Sequence, residues 1–474
     1  FMVVRTDLPG RGWLEPVVLI PIFLSPVVVA FGYVVAMGPV GFVTLWVQQV
    51  FGTAPWNIYS LFSLILIAGL THLPYVYLYT SSALRALATD VEEAASVSGA
   101  GTARIALTVS LPMVWPAILY SGVLVFFLGF ELFGLPLILG DPEGLLVLST
   151  YLFKLTNRLG VPSYQLMAVV SVVIIAIAFP LIYLQRRLMG ASSRFVTVGG
   201  KGLSQRPLRL GTWRWPGLGL LLAWLAATVM LPLSGVFLRA FVSSWGAGVR
   251  VAEVLTLQNF RDLFDYPNLV RGIVNTLAIG VIGGALAVAC YTAIGLAGHR
   301  WESPWAKALD YLVMIPRGMP GLVAGLAFLW VFLFIKPLSP LRNTLFSLWI
   351  AYSIVWLAYG MRLISSALFQ VGPELEQAAM TAGASRARLT KDVTLPLIRF
   401  GMLGSWLLVF MIFVREYSTG VYLLGPGTET IGALIVSLWG TGAIDAVAAL
   451  SVINVLLVAG GLAVALRLGV RLHG

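Results

Sequence analysis

The chain has few of the side chains on which enzymes and metal proteins depend. One cysteine and three histidines occur in 474 residues, so the sequence offers neither an internal disulfide nor a His/Cys metal cluster. Charged residues make up 10%, whereas soluble domains carry about 25%. We also find no polar cluster that would suit an enzyme working in or near a membrane. We therefore expect no catalytic residue and no metal site.

Apolar residues dominate what is present. They make up 59% of the chain, and the mean hydropathy is +0.94. Several apolar stretches reach the roughly 20 residues that an α-helix needs to cross a bilayer. They are continuous rather than alternating, which favours helices over a β-barrel. The composition predicts an all-α polytopic membrane protein that is surrounded by lipid.

The net charge of +11 comes from basic residues that cluster beside apolar stretches. Seven basic residues and no acidic one occur between positions 186 and 214, namely Arg186, Arg187, Arg194, Lys201, Arg206, Arg209 and Arg214. Such clusters mark the cytoplasmic side of membrane proteins. We therefore assign the charge to membrane orientation and expect no nucleic-acid partner.

The apolar pattern predicts ten spans, four in a first half and six in a second. Their bounds are 14–37, 58–80, 113–132, 163–185, 216–238, 272–298, 310–334, 345–367, 397–415 and 444–466. The segments expected outside the membrane are 38–57, 133–162, 239–271, 335–344 and 416–443. This threading places the C-terminus in the cytoplasm.

The chain divides into a first half (1–189), a basic, glycine-rich cytoplasmic linker (190–214) and a second half (215–474). The segment Arg5…Pro9…Ile20-Pro21 resembles Arg300…Pro304…Ile315-Pro316 at one constant separation. By this alignment the first half lacks two leading spans. We expect the full-length protein to carry two more spans before Phe1, giving six plus six.

A polar motif occurs once in each half, 284 residues apart, on the side predicted to be cytoplasmic. The first motif spans residues 92–112 and the second spans 376–396, and they align without a gap. Each begins with a short helix-forming run, continues through a glycine, Gly99 or Gly383, and ends in Leu-Pro. The pattern predicts a helix–turn–helix that is tied to two spans and lies along the inner face.

These residues resemble the "EAA" loop of importer-type ABC transporter permeases, whose pattern is E-A-A, three residues, G, nine residues and I/V-x-L-P. The residues carried over from this resemblance are Glu92, Glu93, Ala94, Ala95, Gly99 and Arg104 in the first motif, and Glu376, Gln377, Ala378, Ala379, Gly383 and Arg388 in the second. The second motif departs from the pattern because it has Gln377 where the family usually has glutamate. The two docking sites are therefore expected to differ in strength.

The resemblance implies a permease subunit with both motifs docked on ATP-hydrolysing subunits. It implies two copies of an ABC ATPase, a substrate-binding protein outside the cell, and ATP-Mg bound by the partners. No cofactor is expected in this chain. The implied location is the cytoplasmic (inner) membrane of a bacterium or archaeon, with both motifs and the C-terminus in the cytoplasm.

The expected solute is ferric iron, because the fused halves and the segment 319–326 resemble ferric-iron (FbpB-like) permeases. Permeases for 2-aminoethylphosphonate, polyamines and thiamine share the architecture and stay open as alternatives. A secondary transporter is disfavoured, because the two motifs lie on the same predicted side and the repeat is therefore parallel. An inverted repeat would favour such a carrier.

Three charged residues are candidates for the solute pathway. Glu131 and Glu416 stand at the outer ends of the spans that follow the two motifs, and Arg415 precedes Glu416. Acidic groups at the membrane edge suit a cation or chelated metal in transit, whereas Arg415 suits an anion equally well. The alternative is that these glutamates reach water or pair with neighbouring helices.

Overall fold

The structure, a computed structural model, describes residues 1–87, 90–157, 163–192, 207–299 and 319–468. It also describes Trp305, Leu309, Leu312, Val313 and Pro316. The regular secondary structure of these residues is helical, apart from two isolated β-bridges. The chain forms two compact units, of which the first contains Phe1–Leu238 and Trp245–Val249. The second contains Arg239–Ser244 and Arg250–Arg471.

The first unit is a helical bundle. Its α-helices are Met2–Arg5, Arg11–Val18, Ile20–Phe23, Pro26–Met37, Phe42–Phe51, Leu61–Ala86, Asp90–Val97, Thr102–Ile105, Leu111–Glu131, Leu148–Asn157, Tyr164–Ser192, Arg214–Leu225 and Leu231–Ala240, the last of which ends in the second unit. Short π-helical stretches occur at Ala106–Ser110, Pro136–Gly140 and Ala226–Met230, and 3-10 turns occur at Asp141–Glu143 and Gly211–Trp213.

A close helix crossing organises part of the first unit. A Cβ atom on Gly32 would lie 2.1 Å from the Pro232 carbonyl oxygen, so only glycine fits at this crossing. The Tyr33 hydroxyl donates a hydrogen bond of 2.7 Å to the Ala227 carbonyl. The span Gly211–Ala240 therefore packs in the first unit, although the sequence-based division assigns most of it to the second half. That division of the sequence stays a prediction.

The second unit is also helical. Its α-helices are Gln258–Asp265, Pro267–Ala278, Gly284–Gly298, Gly321–Phe334, Leu345–Val355, Leu357–Phe369, Pro373–Thr381, Arg386–Leu389, Leu395–Arg415, Ile431–Thr441 and Ile444–Arg467. It has π-helical stretches at Ile279–Gly283 and Thr390–Thr394, and 3-10 turns at Val251–Glu253, Lys336–Leu341 and Gly420–Tyr422. Tyr291, Phe332, Tyr352 and Phe413 belong to its buried core.

Seven helical segments of the described chain are long and apolar enough to cross a membrane. They are Pro26–Phe51, Leu61–Ala86, Thr102–Glu131, Gly211–Ala240, Pro267–Gly298, Arg386–Arg415 and Ile444–Arg467. Six of these confirm predicted spans. An eighth is broken, because Leu345–Val355 and Leu357–Phe369 meet at an angle of 60° around Trp356. The predicted multispanning, all-α class is confirmed.

The predicted span 14–37 is wrong in its bounds. Residues 11–37 form three helices, because proline interrupts the hydrogen-bonding pattern of a continuous helix. The span runs instead from Pro26 to Phe51, so the predicted outer loop 38–57 contains the helix Phe42–Phe51. The apolar helix Ile431–Thr441 likewise lies in the predicted outer loop 416–443, where the sequence pattern predicts no helix.

Two other predictions fall partly outside the described residues. Of the predicted span 310–334, the structure describes Gly321–Phe334 as an apolar helix, together with a few isolated positions before it. Of the predicted linker 190–214, residues 193–206 lie outside the described part of the chain. The span predicted at 163–185 lies in the helix Tyr164–Ser192, whose described apolar part is Tyr164–Ile177.

Candidate functional site: two motif loops

The two motifs have the same backbone. The first begins with the helix Asp90–Val97 and the second with Pro373–Thr381. Each helix is followed by a glycine in the left-handed region, with φ of 83° at Gly99 and 84° at Gly383. Side chains other than glycine rarely adopt this conformation, which explains the glycine in both motifs. The predicted helix–turn–helix is therefore present twice.

The hydrogen bonds around each turn are also equivalent. The Ala100 amide donates to the Ala95 carbonyl at 3.0 Å, and the Ala384 amide donates to the Ala379 carbonyl at 3.0 Å. Each turn leads into one short helix and then into a π-helical stretch, Ala106–Ser110 or Thr390–Thr394, which joins the following span. Such π-helical segments are rare in proteins overall, and those that occur are often located at functional sites.

Adjacent residues of each motif have opposite environments. Glu92 and Glu376 are buried, with exposed fractions of 4% and 6%. Glu93 and Gln377, which follow them directly, are exposed. All four residues belong to the docking set predicted from the sequence. The structure instead separates an inward carboxylate, which can hold the loop, from an outward side chain, which can meet another molecule.

In the first motif the buried carboxylate is held by an arginine and a serine. The Ser110 hydroxyl donates to Glu92 Oε1 at 2.6 Å, and Arg5 Nε lies 3.5 Å from Glu92 Oε2. Arg5 Nη2 also donates to the Leu87 carbonyl at 2.9 Å. A buried carboxylate needs such partners, because burial of an unpaired charge is strongly unfavourable. The first motif is thereby tied to the N-terminal helices and to its own following span.

In the second motif a histidine contacts the equivalent carboxylate. His299 Nε2 lies 2.8 Å from Glu376 Oε1, and both side chains are largely buried. Glu376 takes part in a further interaction besides this one. Sequence reasoning missed both Arg5 and His299 as functional residues. The alignment that pairs Arg5 with Arg300 was the available signal, but Arg300 lies outside the described residues.

The outward surface of each motif is partly apolar. Val91 and Val97 are exposed in the first motif, and Leu375 and Met380 are exposed in the second. The exposed residues from the predicted docking set are Glu93, Ala94, Gly99, Arg104, Gln377, Ala378, Gly383 and Arg388, while Ala95 and Ala379 are half-buried. Apolar side chains beside polar ones on a short protruding helix are typical of a protein interface.

The three candidates for the solute pathway have different surroundings. Glu416 is buried in the second unit and accepts hydrogen bonds from Trp356, Ser418 and Thr419. Glu131 and Arg415 are half-buried, and each interacts with other groups. In the described part of the chain, no group of three or more His, Cys, Asp or Glu side chains lies together.

Comparison with known proteins gives the family. Residues 5–191 and 285–472 each match the family described as "Binding-protein-dependent transport system inner membrane component". The chain belongs to this family. The match is double, as the duplicated motifs predict, and together the two segments cover most of the chain. The resemblance inferred from the motifs is thereby confirmed.

Two relatives named for ferric transport match most of this chain. The chain is 24% identical over 425 residues to a Haemophilus influenzae protein named as a ferric transport system permease, FbpB 1. That match covers 87% of this chain and 64% of the relative. The chain is also 24% identical over 431 residues to the ferric transport system permease protein FbpB of Actinobacillus pleuropneumoniae. That match covers 88% of this chain and 60% of the relative. The chain thus spans less than two thirds of either relative.

A relative with a different named solute matches a shorter segment. The molybdenum transport system permease protein ModB of Escherichia coli is 32% identical over 126 residues, which is 27% of this chain and 54% of that protein. Sequence similarity within this family therefore extends across proteins named for different solutes.

Proposed function

We propose that this chain is the membrane-spanning permease of an ATP-driven importer and that its two motifs dock two copies of an ATP-hydrolysing subunit. The observation that carries the proposal is the arrangement of each motif. One face is fixed to the permease through a buried carboxylate, and the other presents exposed apolar and polar side chains. The family match over both halves supports the same function.

The motif geometry suits the transmission of force from a soluble partner to the spans. A partner that pushes on the exposed face of Asp90–Val97 moves the buried Glu92 with it. Glu92 accepts a hydrogen bond from Ser110, which directly precedes the span Leu111–Glu131, and it forms an ion pair with Arg5. Because the buried contacts resist separation, the motif and its spans move as one body. Closure of two ATPase subunits would rock the spans and open the path alternately to each side.

The remaining partners and the orientation belong to the same proposal. ATP-Mg would be bound by the partner subunits, and a binding protein would deliver solute to the outer surface. Both motifs and the C-terminus would lie in the cytoplasm, as the basic residues before the span Gly211–Ala240 indicate. Hydrolysis is thus assigned to the partners and transport to this chain.

For the solute we propose ferric iron, because two relatives that match most of this chain are named for ferric transport. The runner-up is another small solute carried by the same architecture, such as a phosphonate, a polyamine, thiamine or an oxyanion. The match to a molybdenum permease over part of the chain favours keeping this second candidate. A secondary transporter is the least favoured interpretation, because it leaves the exposed motif faces without a role.

The test is ATPase activity of the full-length permease copurified with its native partners. The binding protein is preloaded in turn with ferric ion, a phosphonate, a polyamine, thiamine and molybdate. Stimulation by the iron-loaded binding protein alone would support both the function and the solute. Stimulation by a different loaded protein would support the function and overturn iron. Absence of any copurifying ATPase would overturn the proposal.

A further inference from the structure

The second unit buries a group of oxygen atoms that the packing of the fold does not explain. The group consists of the Glu416 carboxylate and the hydroxyls of Tyr352, Thr419 and Thr430, and we call it the oxygen cluster. The exposed fractions are 5% for Glu416, 0% for Tyr352 and Thr419, and 4% for Thr430. Burial of one carboxylate and three hydroxyls in an apolar core is unfavourable unless each has a partner.

Among the described residues, the hydrogen bonds to the carboxylate all come from neutral groups. Trp356 Nε1 donates to Glu416 Oε2 at 3.0 Å. The Ser418 hydroxyl and the Thr419 amide each donate to Oε1 at 2.9 Å. An ionised carboxylate has about four acceptor positions, so these three donors leave capacity on Oε2. The described residues provide no salt bridge to Glu416, and a buried carboxylate without a cation is poised to accept one.

The Thr419 hydroxyl has no hydrogen-bond partner among the described residues, and the Tyr352 and Thr430 hydroxyls lie beside one another without a well-formed hydrogen bond to any described group. The Tyr352 hydroxyl faces Gly420, on which a Cβ atom would lie 2.4 Å away, and Thr430 borders the same hydroxyl. Burial of a polar atom without a good partner is unfavourable, so three such atoms in one place need an explanation. A bound ligand that accepts lone pairs from the three hydroxyl oxygens would explain their burial.

The cluster lies at a break in a membrane span. Trp356 is the residue at which Leu345–Val355 and Leu357–Phe369 meet at 60°, and Tyr352 lies one turn before it. Transporters bind solutes and ions at such discontinuous helices, where the backbone is no longer fully bonded to itself. The segment that carries Thr430 is well held, because Arg271 donates to Glu429 at 2.8 and 2.6 Å.

The first half provides an internal comparison. Residues 61–87 and 345–371 align without a gap at the separation of the two motifs, beginning with Leu-Phe-Ser-Leu in both. At this separation Ala68 corresponds to Tyr352, and His72 corresponds to Trp356. After the motifs, a shift of one residue pairs Glu131 with Glu416, and Gly134 and Leu145 then stand at the positions of Thr419 and Thr430. The carboxylate thus recurs in the first half, whereas the three hydroxyls occur only in the second.

We propose that the oxygen cluster binds a hard, oxygen-preferring metal cation on its way through the second unit. Carboxylate, phenol and hydroxyl oxygens form the donor set that such cations prefer over nitrogen or sulfur. The cation would take the spare capacity of Glu416 and the lone pairs of the three hydroxyls. This inference rests on the proposed transport function and narrows its solute to a cation.

The test is direct binding of terbium(III), a hard trivalent probe, to the purified full-length permease. Trp356 and Tyr352 border the site, so their excitation should sensitise terbium emission, and gallium(III) should displace the probe. We expect saturable emission from the unaltered protein. Glu416→Gln should weaken binding about 10-fold or more, as is typical when a metal site loses a supporting group, and Tyr352→Phe and Thr430→Val should weaken it less.

The matched controls are Glu253→Gln and Tyr266→Phe, both in the exposed outer segment, which should leave binding unchanged. The near-isosteric Thr430→Val keeps the test valid if Glu416→Gln fails to fold. Unchanged affinity in Glu416→Gln and Thr430→Val, or no saturable emission from the unaltered protein, would overturn the inference and assign the cluster to buried water. ATPase coupling measured on the same preparations reports separately on the proposed function.

Discussion

The two motif loops share a backbone but differ in the side chain that holds each buried carboxylate. In the first unit Arg5, which is nearly inaccessible, faces Glu92 together with Ser110. In the second unit His299 faces Glu376 and is slightly more exposed. Arginine carries a permanent charge and several donors in a fixed plane, whereas one histidine nitrogen makes a single contact. Among the described residues, the carboxylate and the turn recur in both motifs, while the side chain that contacts the carboxylate is an arginine in the first and a histidine in the second.

The comparison shows which features the docking role requires. The left-handed glycine, the buried glutamate and the exposed apolar surface occur in both motifs. The described side chain that contacts the glutamate and the outward residue at position 93 or 377 differ. We therefore expect substitutions at the shared features to affect both loops similarly, and substitutions at the differing features to separate them.

The largest effect is expected for Arg5→Met. This change removes the ion pair and leaves Glu92 buried with Ser110 as its hydrogen-bond donor among the described residues, and removal of one member of a buried ion pair costs about 3–5 kcal/mol. Thermal unfolding of the purified permease in detergent measures the loss. The double variant Arg5→Met/Glu92→Gln should recover most of the stability, because it removes the unpaired charge. Equal instability of the single and double variants would show that Arg5 acts through packing alone.

A smaller loss is expected for His299→Phe. The ring volume is roughly kept, while the contact of 2.8 Å to Glu376 disappears. Loss of one hydrogen bond to a charged group costs about 1.5–3 kcal/mol, and Glu376 keeps another interaction. The same unfolding assay applies, with His299→Gln as the control that retains a donor. If His299→Phe costs as much as Arg5→Met, the two anchors are equivalent despite their chemistry.

Gly99→Leu and Gly383→Leu should have similar, intermediate effects. Both positions have a positive φ, 83° and 84°, and open space where a Cβ atom would lie, so the penalty is backbone strain of about 1–2 kcal/mol rather than a clash. The bulky side chains would also project from the docking surface and reduce the coupling of ATP hydrolysis to uptake. Asparagine tolerates this conformation better and serves as the control. Full coupling in both leucine variants would contradict the docking assignment.

The smallest effect is expected from exchanging the outward residues, with Glu93→Gln in one variant and Gln377→Glu in another. Both positions are exposed, so the free energy of unfolding should change by less than about 0.5 kcal/mol. Binding of the ATPase subunit should weaken in the first variant and strengthen in the second by a few fold, because exposed ion pairs contribute about 0.2–1 kcal/mol. Binding titrations with each variant measure the difference. Tighter binding of the ATPase subunit to Glu93→Gln and weaker binding to Gln377→Glu would show that glutamine is the better docking residue.

Much of this architecture could be predicted from the sequence, because apolar length and motif repetition are local properties. The spans around both motifs and the turn glycines belong to this class. The span at Pro26–Phe51 could not be placed correctly, since the choice between two proline- and glycine-interrupted stretches depends on packing against other helices. The helix Ile431–Thr441 was missed for the same reason, being short and buried by its neighbours.

The candidate site was likewise predictable only where its features are local in the sequence. The loops were predicted because their residues are contiguous, whereas the anchors Arg5 and His299 are distant in sequence from the carboxylates they meet. Glu416 was predicted as an acid at the end of a span, but Tyr352 and Thr430 come from two other segments of the chain. Long-range contacts of this kind leave no periodic signal in the chain.

The span Gly211–Ala240 has a consequence for biosynthesis. It packs in the first compact unit but is encoded largely after the linker, so that unit is complete only once residues 211–240 have been translated. Until then the helix 26–37 presents an unfilled surface at Gly32, where Pro232 will later lie. A gene split within the linker would place this span on the second polypeptide. Expression of the first fragment alone would then leave the surface open to chaperones and proteases.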